Sequence, residues 1–213
     1  MKAEEIIEAA RARTRPQPNR FLEELAAGRV TEAGLRRLAG EQYRILVSDR
    51  RSFSLLASRF PENPAGDLFL GLAAGEGRAL TLLHRFAGAF GWAEPDLTAY
   101  EPHPSAQAYP AFVAQCAAYG PRSAIVTAML TNLDEWGGYC ARVAEILAGP
   151  YGLAEEAVEF FRFFSAPPPG FAAQATAVIQ AGLDAGDDPA EAVRAARLLH
   201  AYETWFWDSL LEL

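Results

Sequence analysis

DPAEAVRAARLLHAYETWFWDSL, residues 188–210, reads as a helix with a secure start. Asp188 is an N-cap residue, Pro189 takes the first helical position and Glu191 stands three places after the cap. Turning about 100° per residue puts Val193, Ala196, Leu199, Phe206, Trp207 and Leu210 on one arc. Arg194, Arg197 and Asp208 fall on the opposite, solvated side. Two residues break the apolar arc: His200 on it, and Glu203 near its centre. Burying a carboxyl costs free energy unless a partner or ligand compensates, so this helix predicts both packing and a place for chemistry.

Outward from this stretch, the same helical rule holds. Ala supplies 42 of 213 residues, whereas Val, Ile and Thr together supply 22, which favours helices and starves any sheet. Pro and Gly punctuation predicts helices over about 2–14, to Gly28, from Thr31 to near Phe60, and over 65–90. The segment 91–104, with Pro95, Pro102 and Pro104, reads as a loop. Further helices follow over Ser105–Tyr119 with Pro110 inside, Pro121–Gly149, 153–165, about 170–185 and from 189 on. The break after the first helix falls at Arg15-Pro16-Gln17-Pro18. No linker or fixed repeat divides the chain, so an all-α single domain over 1–213 is expected.

Inward-facing polar residues recur on other helices. Over 31–60 the stripe is Leu35, Leu38, Ile45, Leu46, Phe53 and Leu56. Gln42 and Asp49 fall in its middle, while Arg36, Arg37, Arg44 and Arg51 face away. Over 65–90 the stripe is Phe69, Leu72, Ala73, Leu80, Leu83 and Phe90, with Glu76 near its centre and His84 at its edge. Over 121–149 it runs Ile125, Met129, Leu133, Trp136, Cys140, Val143 and Leu147, flanked by Asn132 and Tyr139. Glu135 is placed further round, near Arg142, as a solvated residue. Three carboxyls, a Gln and a His aimed inward from three helices predict a shared internal pocket of the kind helical bundles use for small molecules. Structural hydrogen bonds are the alternative for any one of them. The aromatics Phe160, Phe161, Phe163 and Phe164 are assigned to the core.

Nineteen basic and 27 acidic residues give a net charge of −8, which excludes a general nucleic-acid coat and disfavours anionic membranes. No apolar run reaches the roughly 18 residues of a span, and MKAEEIIEAARART lacks the apolar core of a signal peptide. Cys116 and Cys140 are too few for a disulfide framework. A cytoplasmic protein is expected. With no Gly-rich phosphate loop, His-Glu-x-x-His pair or Cys-x-x-Cys, no cofactor or metal is expected either.

The close Tyr202-Glu203-Thr204-Trp205-Phe206-Trp207-Asp208 resembles the Tyr-Glu-x-x-Phe-Trp-Asp ending of the TenA/thiaminase II family, relatives of the PqqC-like proteins. Phe21-Leu22, Gln42-Tyr43, Leu83-His84 with Phe86 and Gly91, Tyr109 and Trp136 agree in order and spacing. The resemblance implies a heme-oxygenase-like bundle of seven or eight helices around a central cavity, assembled as a homodimer or homotetramer. It implies a heterocyclic ligand such as an aminopyrimidine. Glu203 matches the family's proton-transferring glutamate, and Tyr109 a pocket tyrosine. The family's pocket aspartate falls at Gln42 and its nucleophilic cysteine at Asn132; Gln cannot act as a base, nor Asn form a thiolate's adduct. The expected site is therefore Glu203 as catalytic acid/base, with Gln42, Tyr43, Asp49, Glu76, Tyr109, Asn132, Tyr139 and His200 contacting the ligand. The expected activity is thiaminase II-like hydrolysis of an aminopyrimidine. The alternatives are a metal- or oxygen-dependent oxidase using Asp49, Glu76, His84, His200 and Glu203, and a ligand-binding or regulatory protein without catalysis.

Overall fold

A computed structural model of the chain describes residues 2–16 and 18–212. The described residues form ten helices and no strand: α1 (Ala3–Arg11), α2 (Arg20–Ala26), α3 (Glu32–Arg59), α4 (Ala65–Gly88), α5 (Glu94–Ala99), α6 (Pro104–Tyr119), α7 (Arg122–Ala148), α8 (Glu155–Phe164), α9 (Phe171–Asp184) and α10 (Pro189–Ser209). Eight helices have nine residues or more, within the seven or eight that the resemblance implies; the short α2 is the helix expected up to Gly28, and the short α5 is the unexpected one. The expected loop over 91–104 is only partly a loop. Pro95 lies in the first turn of α5, and the Asp96 carboxylate accepts from the Ala93 N–H, which together start a helix inside the proline-rich stretch. The break at 15–18 includes Gln17, which lies outside the described residues.

The helix starts follow the capping chemistry. Thr31 accepts from the Gly34 N–H on α3, and Asp188 from the Ala190 N–H on α10. Glu191 pairs with Arg194, so α10 carries a single cap rather than a reciprocal box.

Six helices close into a ring. α3 packs on α4, α4 on α8, α8 on α7, α7 on α10, α10 on α6, and α6 returns to α3. Two apolar clusters fill the ends of this ring. One holds Leu46 of α3, Ala79 of α4, Ala106 of α6, Cys140 of α7 and Phe206 of α10. The other holds Phe53, Ala73, Val113, Leu130 and Leu199 of the same five helices. Between the clusters, each of these helices places a polar residue: Asp49, Glu76, Tyr109, Asn132 and Glu203.

Three outward-facing arginines are not simply solvated. Arg36 donates to the Phe90 carbonyl, Arg37 to the Leu210 carbonyl at 3.1 Å, and Arg44 to the Thr98 and Tyr100 carbonyls, pinning neighbouring loops to α3. Among the described residues no helix is long and apolar enough to cross a membrane.

Candidate functional site

The polar layer surrounds a cavity of about 520 Å³. Its walls are mainly apolar, with Ile45, Leu46, Leu72, Met129, Leu133, Trp136, Phe163, Phe164, Leu199 and Phe206 among them. Exposed Asp67, Gly71 and Pro167–Pro169 line its rim, so the triple proline that stops α8 also shapes the mouth.

Glu203 is 3% exposed and held on both oxygens. Asn132 donates its amide N–H to Oε2, and Trp207 donates its indole N–H to Oε1 at 3.3 Å. Burial raises the Glu203 pKa, the two donors oppose it, and burial wins, leaving the group at about 7. A carboxyl near that value can both donate and accept a proton at neutral pH.

Asp49 and Glu76 face the same cavity from α3 and α4. Burial pushes Asp49 up to about 8. Burial, reinforced by the charge of Asp49, pushes Glu76 well above the carboxylate range. Tyr109 lines the cavity from α6; burial, then the charges of Asp49, Glu203 and Glu76, hold its phenol protonated. Gln42 completes the layer, its buried amide nitrogen lacking a protein partner.

The cavity thus brings together Gln42, Asp49, Glu76, Tyr109, Asn132 and Glu203. Three expected ligand contacts lie elsewhere. Tyr43 turns outward, its hydroxyl donating to Glu94 at 2.9 Å, because one residue past Gln42 is a 100° rotation off the cavity face. Tyr139 and His200 line a separate, water-sized dimple behind Glu203 with Glu135. There Glu135 is not solvated: it accepts from Tyr139 and sits 3.0 Å from His200 Nδ1. Nε2 of His200 faces the Arg15 carbonyl at 2.9 Å. Both ring nitrogens meeting acceptors favours the imidazolium, and the bond to Glu135 raises the His200 pKa.

The phenylalanines divide. Phe160 and Phe161 are fully buried core, whereas Phe163 and Phe164 line the cavity. Leu133, Met129 and Gln174 are further lining residues; Leu133 and Met129 were legible only as core, and Gln174 of α9 carried no signal. The oxygen/nitrogen metal set of the alternative oxidase reading does not assemble. His84 pairs with Glu94 at the surface and His200 with Glu135, and among the described residues no three His, Cys, Asp or Glu side chains converge on a metal position.

Residues 19–163, about two thirds of the chain, match the model of the TENA/THI-4/PQQC family. The chain belongs to the TENA/THI-4/PQQC family. Solved TENA-type structures have the same fold. A TenA homologue from Pseudomonas syringae pv. tomato aligns with a TM-score of 0.74 at 14% identity, over 99% of this chain and 92% of that one. A domain of heme oxygenase-like fold from Shewanella denitrificans aligns at 0.71 and 14%, over 97% and 89%. A protein from Silicibacter sp. TM1040, described as a TenA family transcription regulator, aligns at 0.67 and 16%, over 100% and 97%. No curated protein matches the sequence significantly. Neither cysteine lines the cavity: Cys140 is buried in the first apolar cluster and Cys116 in the second, and burial pushes both thiol pKa values up.

Proposed function

We propose that the cavity binds a small aminopyrimidine-like heterocycle and hydrolyses it with Glu203 as the acid/base. The observation that carries this reading is Glu203 itself: a cavity-facing carboxyl fixed by Asn132 and Trp207 and poised at about 7. In the reaction the carboxylate takes a proton from water as its oxygen bonds to the carbon that bears the amine. The carboxylic acid then passes that proton to the departing nitrogen. Water and the amine become a hydroxyl compound and ammonia, and Glu203 ends as it began. The aromatic and aliphatic walls sandwich the ring, while Gln42, Asp49 and Tyr109 orient its polar edge.

Thermal-shift screening with aminopyrimidines, followed by ammonia release from those that bind, tests this reading. Glu203→Gln should retain binding while lowering turnover by about 10²–10⁴-fold. Unchanged turnover would remove the acid/base role. A binding-only protein is the second reading, favoured by Asn132 bonding to Glu203 where the resemblance places a nucleophile. It predicts saturable binding with no ammonia released by the wild type.

A further inference from the structure

We infer that the Asp49–Glu76 side of the cavity recognises an organic cation, an ammonium or amidinium group carried on an apolar body. This rests on the cavity being a ligand site and adds the chemical class of what it takes. Asp49 and Glu76 come from neighbouring helices and meet in one layer between the two apolar clusters. The charge acting on Glu76 is that of Asp49, another acid. Asp49 is 3% exposed, and its Oδ1 has no hydrogen-bond partner. Both acids thus line the cavity, and among the described residues no protein cation pairs with either.

A second observation points to a ligand independently. Gln42, 2% exposed and two turns before Asp49 on the same face, lines the same cavity and carries a buried amide nitrogen without a partner. A buried amide left unpaired costs free energy that a bound acceptor would relieve. Among the described residues, Tyr109 from α6 and Glu203 from α10 also face this layer and lack positive charge, while Arg50 of α3 is exposed and lays its guanidinium beside Gly77. Arg78 lies at the exposed margin with its guanidinium 5.8 Å from the Phe163 ring centre. A bare metal ion is disfavoured because no third His, Cys, Asp or Glu joins the pair among the described residues. An organic cation supplies its own donors, and its body fills the apolar part of the 520 Å³.

Entry of a cation into this layer draws a proton out. Asp49, held up at about 8 by burial, ionises when a positive charge arrives, so binding near pH 7 releases a proton. The test is calorimetric titration of the purified protein with benzamidine and with its neutral isostere benzamide, in two buffers of different ionisation enthalpy. Benzamidine should bind at least about tenfold more tightly, equivalent to 1.4 kcal/mol, and release close to one proton. Asp49→Asn combined with Glu76→Gln should erase the preference while the variant still melts in a single cooperative transition, which a misfolded variant would not do. Equal binding of the two probes by the wild type overturns the cation site but leaves the aminopyrimidine reading to its own turnover assay. A preference that survives the double substitution, or binding of neither probe, overturns it as well.

Discussion

Glu203, Asp49 and Glu76 hold their protons in the folded chain to higher pH than free carboxyls do. Burial is the leading cause for each. The ordinary values are 3.8 for Asp and 4.5 for Glu, and the folded ones reach about 7 for Glu203 and about 8 for Asp49. Between these limits the folded state binds more protons than the unfolded state, so stability is highest near the lower end and falls as pH rises. His200, also raised, acts in the same direction: its contribution is complete below its ordinary 6.5 and lost above its folded value. Thermal melting followed from pH 5 to 8.5 should therefore show a declining midpoint. Asp49→Asn should flatten the decline and stabilise the protein at pH 8 by about 1–3 kcal/mol. A midpoint that rises across this range, or a less stable Asp49→Asn at pH 8, would contradict uncompensated burial of the acids. The inward aim of these residues was legible because each interrupts an apolar stripe at helical spacing. Their raised affinity for protons was not legible in the stripes, since it depends on which neighbours fold around them.

At the level of elements, α3 does more than its stripe announces. Glu41 is completely buried, yet it lies off the stripe, one residue and about 100° from Gln42. It accepts from the Tyr100 hydroxyl at 2.8 Å, the His103 backbone N–H at 2.6 Å and the Gln107 amide at 3.0 Å, clamping the segment between α5 and α6. Beside it, Gly40 lets the Tyr100 ring lie against the helix; a Cβ there would come within 2.4 Å of the ring. Urea unfolding should show Glu41→Ala less stable by about 2–4 kcal/mol, because three part-buried donors lose a fully buried acceptor. Gly40→Ala should cost about 1–3 kcal/mol through overpacking. Near-zero effects in both variants would mean that the clamp contributes nothing. Periodicity found every long helix but not this contact, because an acid on a helix flank is ordinarily solvated and only the returning segment buries it. The same reason hid the Glu135–His200 pair and the bonds of Arg36, Arg37 and Arg44.

For the whole molecule, closure of six helices into a ring turns scattered polar residues into one layer around a cavity. If that void is spare volume rather than structural need, Leu72→Trp should fill it. Binding of any aminopyrimidine or benzamidine ligand should weaken at least about tenfold, while stability changes by less than about 1 kcal/mol. Retained affinity, measured by calorimetry alongside urea unfolding, would place the ligand outside the cavity. The Ala-rich composition, the Pro, Gly and capping residues and the apolar stripes determined by themselves that the chain is helical, where its long helices begin and which polar residues interrupt an inward face, since all of these follow from local propensity and a 3.6-residue period. Only the tertiary structure decided which inward residues share a space. It admitted Gln42, Asp49, Glu76, Tyr109, Asn132 and Glu203, placed Tyr43, Tyr139 and His200 elsewhere, and lent Phe163, Phe164 and the triple proline to the cavity. Helical periodicity fixes a side chain's direction about its own axis, but the distance between side chains on different helices is set by packing across the ring.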